Sequence, residues 1–198
     1  MKPPRACCRV FTACGLLGAG VLIGLLLPRW FDAPGQAAQQ KVREGGAEDR
    51  LRQLKLDLPP TPPSKNTLVA VVRVGDLLFV SGHGPTKDDG SAWVGRLGQN
   101  LDVKEGRAAA RRVGLHILRV VRDELGSLDK VVRVVKTLGM VNATPDFTQH
   151  PQVVNGFSDL MVEVFGDKAG KGTRSAVGMS SLPGGIPVEI EAIFQVRP

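Results

Sequence analysis

Residues 102–141 read DVKEGRAAARRVGLHILRVVRDELGSLDKVVRVVKTLGMV. Asp102 stands three residues before Glu105, the spacing at which a helix N-cap and a third-position carboxylate satisfy each other's backbone N–H groups. Val103, Ala110, Val113, Ile117, Val121 and Leu125 then fall on one side of a helix. Gly126 is the residue type that closes such a helix in a left-handed conformation. Residues 130–141 are rich in valine and read as a buried strand, which stops at Asn142-Ala143-Thr144-Pro145. A long amphipathic helix feeding a buried strand requires a sheet for the strand to join and a sheet face for the helix to cover.

The flanking sequence supplies that sheet. Residues 67–74 and 77–80 are apolar and β-branched around the turn pair Gly75-Asp76, which predicts a hairpin. Residues 81–98 are glycine-rich and irregular. A second helix is expected over 152–165, with Val153, Phe157, Leu160, Met161 and Val164 inward and Gly166 closing it. Residues 174–179 form a short strand, Leu182-Pro183-Gly184-Gly185 a turn, and 188–196 a strand of strict alternation. The order is β-β-α-β-α-β-β, an α+β domain whose mixed sheet carries two helices on one face. Its strands bear apolar residues on both sides, so the second face needs a cover, and packing against other copies of the chain is the expected one.

The amino-terminal third has a different character. Lys2, Arg5 and Arg9 precede eighteen uncharged residues, 10–27, VFTACGLLGAGVLIGLLL, closed by Pro28 and Arg29, with Trp30 at an interfacial position. This predicts a signal anchor, or a cleaved signal peptide, over residues 1–28. The expected location is a membrane-tethered exported domain, or a secreted or periplasmic one after cleavage. Residues 29–66 read as a Pro-rich linker, with four prolines between Pro59 and Pro63 and a short helix over 48–56; the domain proper spans 67–198.

Composition narrows the chemistry. The chain has no tyrosine, and its three cysteines, Cys7, Cys8 and Cys14, precede the domain. Thiol catalysis, disulfides and cysteine-ligated zinc are therefore excluded from the domain. The net charge of +7 divides into +4 over residues 1–58 (9 Lys/Arg against 5 Asp/Glu) and +3 over residues 59–198 (17 against 14). A domain at +3 argues against a polyanion partner, and nucleic acid is not expected. Arg107, Arg111, Arg112, Arg119 and Arg122 read as a solvated helix face. His116 falls on the polar side of that helix and His150 in a loop, with no carboxylate cluster beside them, so no metal and no cofactor is expected.

Three features remain as candidate chemistry. Arg174 begins a strand with no carboxylate within six residues, so it is either a surface or inter-subunit ion pair or a fork for a planar carboxylate. Glu189 and Glu191 project from one sheet face, as solvated positions or as a base able to activate water. Ser81-Gly82-His83-Gly84-Pro85 is a turn or a backbone cradle for an anion.

Segments in this order resemble the RidA/YjgF family. They are Val74-Gly75-Asp76-Leu77-Leu78-Phe79-Val80-Ser81-Gly82 with Pro85, then Gly126-Ser127-Leu128-Asp129-Lys130-Val131-Val132-Arg133. The third is Thr173-Arg174-Ser175-Ala176-Val177-Gly178 with Ser181-Leu182-Pro183 and Pro187-Val188-Glu189-Ile190-Glu191-Ala192-Ile193. The residues around Gly95-Arg96-Leu97-Gly98 and Asn155-Gly156-Phe157-Ser158-Asp159-Leu160 resemble a longer subgroup. The resemblance implies a chorismate-mutase-like fold, a homotrimer with clefts between subunits, and hydrolytic deamination of reactive 2-imino or enamino acids to 2-oxo acids and ammonia. It implies Arg174 and Glu189 as catalytic residues, with Arg174 holding the substrate carboxylate, Glu189 positioning water, and Gly82, Ala176 and Asn155 lining the substrate site. Glu191 is then structural. A tyrosine that often covers the family's cleft is missing, and Ala176 stands where a cysteine is frequent. The alternatives are a non-catalytic, membrane-tethered binder of small carboxylates and an endoribonuclease-type activity on RNA.

Overall fold

Helix α2 (Val103–Leu125) starts at the expected cap: Glu105 N–H donates to Asp102 Oδ1 at 2.8 Å, and Asp102 N–H to Glu105 Oε2 at 2.9 Å. Such caps stabilise a helix by about 1 kcal/mol. It ends at Gly126, with φ +78°. The structure, a computed structural model, describes residues 45–60 and 67–198. The apolar run 10–27 lies outside the described residues. No helix among those described is long and apolar enough to cross a membrane.

Five strands, β1 (Val71–Val74), β2 (Leu77–His83), β3 (Val131–Asn142), β4 (Thr173–Met179) and β5 (Val188–Val196), form one sheet in the order β1-β2-β5-β3-β4. All neighbours are antiparallel except β3 and β4, whose parallel pairing is bridged by helix α3 (His150–Phe165) and the single turn α4 (Asp167–Gly170). The expected α+β architecture, a mixed sheet with two helices on one face, is the one observed. Val113, Ile117 and Val121 of α2 and Phe157, Leu160 and Met161 of α3 are buried with Ile190, Ala192 and Phe194 of β5. His150 opens α3 instead of lying in a loop.

The valine-rich start of β3 shows no simple alternation because two register shifts against β5 fall between Val131 and Arg133 and between Val134 and Lys136. Each shift adds an unpaired residue and resets which side chain faces inward. Beyond them, Thr137, Gly139 and Val141 lie under the helices, and Leu138 and Met140 face the other way. That open face carries Val72, Val74, Phe79, Val177 and Met179, each more than a third exposed.

Two further expectations are corrected. His116 is not on a polar helix face. It is buried, its Nε2 3.2 Å from Thr86 Oγ1, because residues 84–101 fold over that side of α2. The helix arginines are not merely solvated either. Arg107 and Arg111 pair with Asp159 and Glu163 of α3, Arg112 with Asp88, Arg119 with Asp123, and Arg122 with Glu48.

The short helix expected within the linker is α1 (Ala47–Gln53), and it lies on the domain. Ala47 and Leu51 are buried, and Leu56 and Leu58 pack on the core. Leu128 N–H donates to Glu48 Oε1 at 2.9 Å, and Glu48 N–H donates to Asp129 Oδ1 at 3.2 Å. This reciprocal clasp holds residues 47–58 to the body of the fold.

Candidate active site

Arg174 sits on β4, the edge strand, opposite Thr137 of β3. Its side chain lies on the helix-covered side, where Nη1 donates to Asn155 Oδ1 at 2.7 Å and to Ser158 Oγ at 3.0 Å. Asn155 and Ser158 are three residues apart on α3, so both present to the same guanidinium nitrogen. No carboxylate pairs with Arg174 among the described residues, and its side chain is exposed. One nitrogen is thus fixed by neutral acceptors, and the rest of the fork remains open toward an anion. A hollow of about 170 Å³ runs from Arg174 along Ser158, Lys171 and Gly172. Ala176 lies two residues further along β4, half-buried beside Gly139. As an edge, β4 also leaves a row of main-chain groups without a ladder partner.

Glu189 belongs to a second group. It is on β5, opposite Met140, and faces the open side of the sheet. Gly82 of β2 is its seat: a Cβ built there would lie 2.1 Å from Glu189 Oε1, so only glycine lets the carboxylate occupy this place. Glu191 lines a different hollow of about 270 Å³ on the open face, with Val72, Phe79, Lys136 and Leu138. His83 turns its Nδ1 to the Ser81 carbonyl, 2.7 Å away.

The structure therefore brings Arg174, Asn155 and Ala176 together, and Glu189 with Gly82, but not the two groups with each other in one chain. Thr137 and Met140, their register partners on β3, are three residues apart with no intervening shift, so Arg174 and Glu189 project from opposite faces. They are also two strands apart, roughly 10 Å across the sheet, and roughly 10 Å apart along it. Ser158 is the site residue that sequence reasoning missed. The available signal was its i, i+3 spacing from Asn155. Among the described residues no three His, Cys, Asp or Glu side chains converge as a metal site would require.

Residues 48–184 match the family described as "YjgF/chorismate mutase-like, putative endoribonuclease". The chain belongs to the RidA/YjgF family. It is 40% identical over 156 residues to Protein TCP17 of Trypanosoma cruzi, a match covering 79% of this chain and 98% of that protein. The solved structure of Atu1372 from Agrobacterium tumefaciens, titled as being of unknown function, is 34% identical. It superposes with a TM-score of 0.70 over 82% of this chain and 99% of that one. A structure from Shewanella oneidensis MR-1, titled a "putative endoribonuclease", is 26% identical with a TM-score of 0.72, covering 77% of this chain and all of that one.

Proposed function

We propose that this RidA-family chain hydrolyses small 2-imino or enamino acids to 2-oxo acids and ammonia, in clefts that two copies build together within a homotrimer. The observation that carries the reading is an oriented Arg174 fork on an edge strand, with no carboxylate partner among the described residues, and a glycine-seated Glu189 on the opposite face. Neither half suffices alone. Arg174 would grip the substrate carboxylate by two hydrogen bonds, leaving the C=N carbon projecting beyond it. Glu189 of the partner subunit would accept a proton from water as the water oxygen bonds to that carbon and the C=N electrons move to nitrogen. The tetrahedral adduct collapses as the second proton passes from oxygen to nitrogen and the C=O forms, and with the proton that Glu189 returns the nitrogen departs as ammonia. Gly82, Asn155 and the main chain at Ala176 would shape the cleft. The reaction consumes one water and needs no cofactor.

Support for assembly comes from the apolar residues of the open sheet face. Exposing so many together is uncommon in a monomer, and burying them recovers roughly 25 cal/mol per Å². We also propose that residues 10–27 tether the chain to a membrane with the domain exported; eighteen uncharged residues behind three cations favour this. The RNA reading, which the family description carries, draws little from α2, because all five of its arginines are engaged by carboxylates. The test is ammonia release from an imine generated in situ by an amino-acid oxidase. Wild type should exceed the uncatalysed rate and Arg174→Ala should not; equal, uncatalysed rates for both would overturn the imine reading in favour of the small-carboxylate binder.

A further inference from the structure

At the end of the sheet where β3 begins, away from Arg174, lies a hollow of about 520 Å³. That volume is within the range of small-molecule sites. Its apolar floor is Val132, Phe165 and Ala169; Val132, a bulge residue at a register shift, is 42% exposed there. Its rim carries Arg133 and Lys168, and Arg50 of α1 forms a wall, with Nη1 donating to the Val164 carbonyl at 3.2 Å. Arg133 donates only to main-chain carbonyls, of Val134 and Lys171, and neither Arg133 nor Lys168 has a carboxylate partner among the described residues. The one acid present, Asp167, is paired with Lys171 at 2.5 Å. Like charges around a low-dielectric floor repel one another, and an anion that covers the floor relieves this.

We propose that this hollow binds a small amphipathic carboxylate, with its head on Arg133 and Lys168 and its apolar body on Val132 and Phe165. Such a ligand matches both halves of the lining. An inorganic anion would leave the apolar floor wet, and a neutral apolar ligand would leave Arg133 and Lys168 uncompensated. The site stands independently of the imine chemistry, since it shares no residue with the Arg174 group.

The test titrates full-length protein with 3-phenylpropanoate by saturation-transfer NMR, in the Arg174→Ala background so that the arginine fork contributes nothing. One saturable site is expected, weakened at least tenfold for 3-phenylpropanamide and for acetate. Adding Lys168→Glu, an exposed change that keeps the fold, should weaken 3-phenylpropanoate at least tenfold; Arg133→Glu should do the same. Absence of saturable binding in Arg174→Ala, or binding indifferent to Lys168→Glu, overturns the proposal. Equal affinity for acetate or for the amide overturns its ligand class.

Discussion

Arg174 is held by two neutral acceptors, and that choice keeps its charge available. A carboxylate at either position would neutralise the fork; Asn155 and Ser158 orient it instead. Arg174→Ala should lower kcat/KM for imine hydrolysis at least 100-fold, and Arg174→Lys should recover little because an ammonium lacks the planar fork. Ser158→Ala should raise KM about three- to tenfold with thermal stability unchanged, since it removes orientation and not charge. Gly82→Ala would push Glu189 off its seat, lowering kcat more than KM. His116 gives a prediction about pH. Burial, with Arg112 and His83 nearby, lowers its pKa to about 4 from an ordinary 6.5. The unfolded chain therefore binds the extra proton first, and stability falls as pH drops from about 6.5 to about 4, then levels. The linked loss is at most about 3 kcal/mol, and less to the extent that solvent screens the ring. His116→Gln should flatten that part of a denaturation-versus-pH curve; an unchanged slope would show that other groups govern it.

At the scale of elements, α2 and α3 approach closely enough that Gly156 meets the main chain of Arg107. A Cβ there would sit 2.0 Å from a carbonyl oxygen. Gly156→Ala should destabilise by about 1–3 kcal/mol or more, measured by urea unfolding, because backbone cannot yield as a side chain can. The α1 clasp should behave as a coupled pair: Glu48→Ala and Asp129→Ala each cost about 1 kcal/mol, and the double variant less than their sum. Much of this layer was legible in the residues. The Asp102–Glu105 box, the Gly126 stop and the alternation of 188–196 are local signals, and local signals fix element type. What the sequence concealed were contacts between distant segments. Nothing near His116 marks it as buried, since its cover comes from residues 84–101, thirty residues upstream at Thr86. Nothing near Glu48 marks it as a cap for residues 128–129. The bulges of β3 erase the alternation that would have told its two faces apart, so the opposition of Arg174 and Glu189 emerges only from register.

For the whole molecule, the open apolar face and the divided site lead to the same requirement, a second copy. Light scattering of the full chain, corrected for bound detergent, should give about three chain masses, and an active monomer would contradict the account of both the face and the cleft. Carbonate extraction should leave the chain in the membrane fraction, and its release would contradict tethering through residues 10–27. The shared cleft itself has a sharper test. Arg174→Ala and Glu189→Gln proteins, each inactive alone, are unfolded together and refolded as a mixture. If Arg174 and Glu189 meet across an interface, every mixed trimer contains one intact site of three, and random assembly restores about a quarter of the wild-type imine hydrolysis. If both residues act within one chain, no mixed trimer holds an intact site and the activity remains at the uncatalysed rate.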